Sequence, residues 1–123
     1  MNQKLVDTNI LIRFLTGDDP KQASEVERNL RKAEKDSLVL SDFILCEMVW
    51  VLLAVYKLTK TEVVEKLEGV VAFEAFSLER KLVKKALEIY ANHSVSFVDA
   101  LLLAKGKIGG IEVWTFDERM RRI

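Results

Sequence analysis

The stretch Lys4-Leu5-Val6-Asp7-Thr8-Asn9-Ile10-Leu11-Ile12 decides the architecture. Lys4–Val6 reads as a short buried strand. Thr8 and Asn9 can cap a short helix over Ile10–Leu15, which the turn Gly17-Asp18-Asp19-Pro20 ends. A strand this short and apolar, followed at once by a helix, fits a parallel sheet covered on both faces. In such sheets ligands bind beyond the carboxyl ends of the strands, and Asp7 stands at that place.

The rest of the chain repeats the alternation. Lys21–Lys35 predicts a surface helix with a narrow stripe of Ala23, Val26, Leu30 and Ala33. Ser37–Leu40 reads as a second strand, and Ser41 or Asp42 caps a long buried helix to about Tyr56. Thr61–Gly69 reads as a further helix with Thr61 as its cap. Val70–Phe76 fits either a strand or a helix tail. Leu78–Asn92 is amphipathic, His93-Ser94 breaks it, and Ser96 caps a helix to Lys105 or Lys107. Beyond the Gly109-Gly110 turn, Glu112–Phe116 is the most strand-like segment in the chain, rich in β-branched and aromatic residues, with a last helical turn after Asp117. There is no internal repeat or low-complexity tract.

Composition bounds what this chain can be. With 123 residues, half of them hydrophobic and 31% charged, it can bury one real core, so a single domain over 1–123 is expected. No apolar run reaches the roughly 18 residues that span a bilayer, so no membrane partner is expected. The N-terminus enters a strand-like run without a secretory pattern. Cys46 is the single cysteine, which excludes an internal disulfide and a multi-cysteine zinc site and fits a cytoplasmic setting. Lys plus Arg equals Asp plus Glu at 19 each, yet residues 1–79 hold 10 basic and 14 acidic groups, and residues 80–123 hold 9 and 5. Lys105, Lys107, Arg119, Arg121 and Arg122 therefore form either a basic rim for a phosphate substrate or a solvated face and tail.

Four acids stand in core-like sequence. Asp7 lies between apolar runs, Glu47 is the only charge between Asp42 and Lys57, Asp99 the only one from Ser94 to Ala104, and Asp117 closes Val113-Trp114-Thr115-Phe116. Burying an unpaired carboxylate is costly, so such a group protonates, finds a cation or stays wet. Each acid also has a structural explanation. Asp7 suits a helix N-cap, Asp99 follows Ser96 as in a capping box, and Asp117 precedes a helix start. Glu47 is mid-helix, with Phe43, Ile44, Trp50 and Val51 as its neighbours three and four positions away, which leaves a distant salt bridge as its structural account.

Taken together the four favour a shared cation. Clustered carboxylates repel, and without a cation at least one pKa is expected to rise. An all-oxygen site selects a hard divalent ion, Mg²⁺ or Mn²⁺. Such an ion can position a water and stabilise charge on phosphoryl oxygens. His93 is the only histidine, beside a helix end, and reads as a surface residue.

The segments Leu5-Val6-Asp7-Thr8-Asn9, Glu47 in its apolar helix, Ser96-Phe97-Val98-Asp99-Ala100-Leu101-Leu102-Leu103-Ala104 and Thr115-Phe116-Asp117 resemble the PIN-domain nucleases. Among these the chain is most similar to the toxin ribonucleases of VapBC toxin–antitoxin pairs. The resemblance covers almost the whole chain in order. It implies a three-layer α/β/α fold around a short, mainly parallel sheet, and metal-dependent hydrolysis of RNA. It places Asp7, Glu47, Asp99 and Asp117 as catalytic and metal-binding acids, with Thr8, Asn9 and Thr115 orienting water or carboxylates. Arg13, Lys105 and Arg119 are candidate RNA contacts. A cognate antitoxin and a homodimer are implied as partners, the dimer formed by helices around Trp50–Tyr56 and Thr61–Val71.

Other acidic-pocket folds fit less well. A haloacid-dehalogenase-type phosphatase needs a second Asp two residues after the first, where Asn9 stands. A receiver domain needs a phosphoacceptor Asp after a central strand, whereas Asp42 heads a helix. A PIN-like binding module without turnover and a housekeeping RNA-processing nuclease remain as alternatives.

Overall fold

The structure, a computed structural model, describes residues 2–123. It divides into two compact units, Met1–Leu78 and Glu79–Ile123.

The first unit holds β1 (Lys4–Leu5), α1 (Thr8–Thr16), α2 (Pro20–Lys32), β2 (Leu38–Val39), α3 (Asp42–Ala54), α4 (Lys60–Ala72) and β3 (Phe76–Ser77). The strands form a parallel sheet in the order β1-β2-β3, with Lys4 opposite Leu38 and Leu38 opposite Phe76. Parallel neighbours need long crossovers, and the helical pairs α1–α2 and α3–α4 supply them. The amides of Lys4 and Val6 donate to the Ser37 and Val39 carbonyls, and those of Leu38 and Leu40 to Ala75 and Ser77.

Helix packing carries the stability. Leu11 and Ile12 of α1, Leu45, Met48 and Leu52 of α3, and Val63, Leu67 and Val70 of α4 are buried. Each fully buried side chain of this size contributes roughly 1.5–3 kcal/mol. Helix α1 packs on α2 and α3, and α3 on α4. Phe14, Phe73 and Phe76 form an aromatic cluster with centroids 5.2–5.8 Å apart. Gly17, at φ +64°, ends α1 in the left-handed conformation, and Asp19 caps α2 by accepting from Gln22 N–H at 3.1 Å.

The second unit holds α5 (Arg80–Asn92), α6 (Phe97–Gly109) and α7 (Glu118–Arg121), with α5 packed on α6. The Tyr90 and Phe97 rings meet edge to face at 5.8 Å, and burial pushes the Tyr90 phenol pKa up. Gly106 is required for close approach. A Cβ there would lie 2.6 Å from the Ile111 carbonyl oxygen and 2.9 Å from a Val113 methyl.

The α/β class and the parallel sheet are as expected, but several details differ. Val70–Ala72 completes α4, and the strand is Phe76–Ser77. The α4 cap is Thr59, which forms a reciprocal capping box with Glu62; Thr61 lies inside the helix. The Thr59-x-x-Glu62 spacing, which satisfies end groups of the helix reciprocally, outweighs Thr61 as a start signal. Glu112–Phe116 is not a strand: it has no ladder partners, and Trp114 is 90% and Phe116 87% exposed. β-propensity measures fit to a pleated, half-buried surface, and the elements of this unit are helices. Asp117 accordingly does not end a strand.

Candidate functional site

The parallel sheet sends all its carboxyl ends to one edge. Asp7 lies just past β1 on that edge, and Ser41, just past β2, is where α3 begins. Glu47 lies five residues into α3, a rise of roughly 8 Å from Asp42. Because α1 packs on α3, these two acids belong to adjoining helices that leave the same edge.

None of the four acids is buried. Asp7 and Glu47 are exposed, and Asp99 and Asp117 are partly so. The cost of burial is therefore not what marks them, and a core salt bridge is not the reason for Glu47. Helix α3 is apolar nearly all round, so its exposed face carries Phe43, Glu47 and Trp50 together.

The capping explanations separate the acids. Asp7 occupies the N-cap position of α1, yet its carboxylate makes no capping bond. Asp99 forms only half of a capping box: its amide donates to Ser96 Oγ at 3.1 Å, and its carboxylate does not return the bond. Asp117 is a true cap, its Oδ1 accepting from the amides of Arg119 at 2.8 Å and Met120 at 3.3 Å. The Arg119 guanidinium, 3.4 Å from Oδ2, and the two amides hold the Asp117 pKa below the usual carboxylate range. That is opposite in direction to the rise expected for crowded carboxylates. Among the described residues no three His, Cys, Asp or Glu side chains are grouped as a metal cage.

The accessory residues also sort themselves. Thr8 is 4% exposed, and its hydroxyl has no hydrogen-bond partner. Asn9 is exposed on the first turn of α1. Thr115 accepts from the Asp117 amide at 3.0 Å, and so shapes the turn that presents Asp117. Arg13 is engaged elsewhere than expected: its guanidinium bonds Asp18 Oδ1 at 3.2 Å and Gln22 Oε1 at 2.7 Å, tying α1 to the α1–α2 turn. Lys105 is exposed, and Arg119 is the ion-pair partner of Asp117.

Sequence reasoning missed the burial of Thr8, which a polar residue beside an acid does not signal. It also missed Asp18 and Tyr56, whose hydroxyl donates to the Asp18 carboxylate from just beyond α3. Among the described residues no helix is long and apolar enough to cross a membrane.

A domain with short parallel strands, an acid past the first strand and further acids on the following helices has a counterpart among known families. The PIN domain model matches residues 4–123, and the chain belongs to the PIN domain family. It is 30% identical over 125 residues to a VapC ribonuclease of Aquifex aeolicus (strain VF5), covering 98% of this chain and 91% of that protein. No solved structure matches the chain.

Proposed function

We propose that this protein is a divalent-metal-dependent ribonuclease, and that it acts as the toxin of a toxin–antitoxin pair. This reading takes both compact units as parts of one PIN-type domain, which a family match running from residue 4 to 123 supports. The similarity to a VapC ribonuclease supports the RNA substrate. The observation that carries the reading is the Asp7 carboxylate. It stands where a helix cap is expected and does no capping.

The donor chemistry present, anionic and all-oxygen, suits a hard cation. In the first unit Asp7 and Glu47, and in the second Asp99, carry carboxylate oxygens that are not consumed by capping, and Thr8, next to Asp7 in sequence, has a buried hydroxyl without a partner. Mg²⁺ or Mn²⁺, when bound, supplies Lewis-acid activation of water and charge stabilisation at the phosphoryl group. Asp7, Glu47, Asp99 and Asp117 are the acidic residues of the reaction. Asp117 has a second task as the cap of α7, and Thr115 holds its turn. Lys105 and Arg119 offer positive charge to the RNA backbone. Arg13 is a turn clamp before it is an RNA contact.

The partners follow from the same similarity. A cognate antitoxin would present Arg or Lys to the exposed carboxylates, a guanidinium binding them in a fork. A homodimer would use the exposed Phe43, Trp50 and Val55 along α3. In α4 the apolar residues Val63, Leu67, Val70 and Val71 are already in the core, so that helix has less to offer an interface than its composition suggests. The cytoplasm is the setting that a single cysteine and an RNA substrate imply.

The deciding experiment is cleavage of a defined RNA with Mg²⁺, Mn²⁺ or EDTA by wild type and Asp99→Asn. Cleavage that needs metal and is lost in the variant is expected. Equal cleavage by both proteins overturns the assignment. The engagement of Asp117 as a cap is the one observation that favours a binding module without turnover, and RNA binding without any metal-dependent cleavage would select that reading.

A further inference from the structure

We propose that Lys81 and Lys84, on the exposed face of α5, hold the phosphate backbone of the RNA. This rests on the ribonuclease reading above and adds a binding surface on a helix that carries none of the four acids.

Helix α5 begins Arg80-Lys81-Leu82-Val83-Lys84-Lys85. Its apolar positions Leu82, Val83, Ala86, Leu87, Ile89 and Tyr90 are buried, which leaves Lys81 and Lys84 exposed. Their charge acts against the helix that bears it. The N-terminal end of a helix is the positive end of its dipole, and cations there are unfavourable. Lys81 also has Lys84 and Lys85 three and four positions on, the spacing at which like charges repel. Glu88 is the one carboxylate in α5, and it bridges Lys85 at 3.5 Å. Among the described residues Lys81 and Lys84 have no carboxylate partner. Helix α2 is composed differently: Glu25 and Glu27 stand among Lys21, Arg28 and Arg31, and Arg31 bridges Glu27 at 2.5 Å. The charges of α2 support their own helix, whereas those of α5 call for an anion from outside.

The face itself selects a nucleic-acid backbone over an acidic protein. Protein interfaces centre on apolar and aromatic residues and are poor in lysine. The exposed positions of α5 are Lys81, Lys84, Glu88, Ala91 and Asn92, with no large apolar side chain. An ammonium on a flexible stem is a point charge that suits phosphate without demanding a fixed geometry. By helical rise the two lysines lie roughly 12–16 Å along α5 from its last residue. Asp99 stands beyond that end, after the connection to α6. The pair therefore meets the strand away from the phosphate being cut, and grips it without regard to sequence.

Lys81→Gln/Lys84→Gln tests this. Binding of a fluorescent polyuridine is followed by anisotropy over a range of salt, in EDTA so that no metal-dependent cleavage occurs. The slope of log affinity against log salt should fall in magnitude by about 1.4, at about 0.7 per contact in a single strand, a loss of about 25-fold at about 0.1 M salt. Lys21→Gln/Arg28→Gln in α2 removes the same charge and should bind as wild type. The α5 variant should melt at or above wild type, because repulsion between like charges is relieved. An unchanged slope, an equal loss in the α2 variant, or melting several degrees lower overturns the proposal. A variant that keeps its RNA affinity but loses an acidic protein partner also overturns it, and gives the lysines to that partner. If wild type itself binds no polyuridine at any salt, the ribonuclease reading fails too. If wild type and the α5 variant bind equally well, only the role of the lysines fails.

Discussion

The Tyr56 hydroxyl donates to the carboxylate of Asp18, joining the chain just after α3 to the turn between α1 and α2. Thr16 and Arg13 bind the same carboxylate, so one exposed acid ties the end of α1 to the chain that follows α3. The hydrogen bond from Tyr56, then those of Thr16 and the charge of Arg13, hold the Asp18 pKa below its ordinary value, and the bond to Asp18 pushes the Tyr56 phenol up. A depressed carboxylate contributes stability that is present above its unfolded pKa and lost as pH falls through its folded one. A raised phenol contributes stability present below its unfolded pKa and lost as pH rises through its folded one. Tyr56→Phe should therefore lower the melting temperature by a few degrees at neutral pH. The gap to wild type should close below about pH 4 and again above about pH 10. Thermal melts across pH check both limits, and a gap independent of pH would show that the ring's packing, not its hydroxyl, is what matters.

Gly106 predicts a second stability effect, with an internal control. Gly106→Ala must displace a backbone oxygen as well as a methyl, and should destabilise by about 1–3 kcal/mol. Gly69, inside α4, meets nothing within 4 Å of an added Cβ. Gly69→Ala should stabilise by about 0.5–1 kcal/mol through helix propensity alone. Urea denaturation of the two variants should move the midpoint in opposite directions.

For catalysis, Asp7→Asn, Glu47→Gln and Asp99→Asn should each reduce metal-dependent RNA cleavage by about a hundredfold or more, while circular dichroism stays that of the folded protein. Asp7 and Asp99 do not cap their helices with their side chains, so neither exchange should cost much stability in EDTA. A variant that unfolds would assign its acid to the scaffold.

Asp117 should behave differently. Asparagine retains a cap oxygen and loses the charge, and alanine loses both. Asp117→Asn should therefore cut cleavage with little change in melting temperature, whereas Asp117→Ala should lower both. Full activity in the asparagine variant would leave Asp117 as a cap and nothing more.

Oligomeric state is checked by light scattering. Wild type is expected to be a dimer at micromolar concentration, and Trp50→Glu, a change on the exposed face of α3, should shift it to monomer. A wild-type monomer would remove α3 from consideration as an interface.

Local signals were legible in the sequence wherever one residue sufficed to produce them. Ser96 caps α6 and Gly17 stops α1, whereas Pro20, read as the end of a turn, is the first residue of α2. The acids themselves could be picked out because charge is rare in their surroundings. Their exposure could not, since whether Glu47 faces core or solvent depends on which side of an almost uniformly apolar helix the neighbouring elements cover. The same holds for Glu112–Phe116, whose composition promises a strand while strand formation depends on a partner elsewhere. Thr8 shows the limit most sharply: a hydroxyl's burial, and its lack of a partner, belong to packing alone.

The sheet's connectivity bears on how the chain reaches its native state. Its rungs join Lys4 to Leu38 and Leu38 to Phe76, positions 34 and 38 residues apart, and each ladder is two residues long. Closing such loops costs chain entropy before two or three hydrogen bonds can compensate, whereas helical hydrogen bonds form locally. The sheet should therefore be a late product of folding, assembled once α1–α2 and α3–α4 have collapsed. In pulsed hydrogen exchange the amides of Leu45 and Val63 should gain protection before those of Val6, Leu38 and Leu40. The strand end that carries Asp7 would then be among the last parts of the first unit to become fixed, so nascent chains would pass most of their folding time without a formed acidic edge.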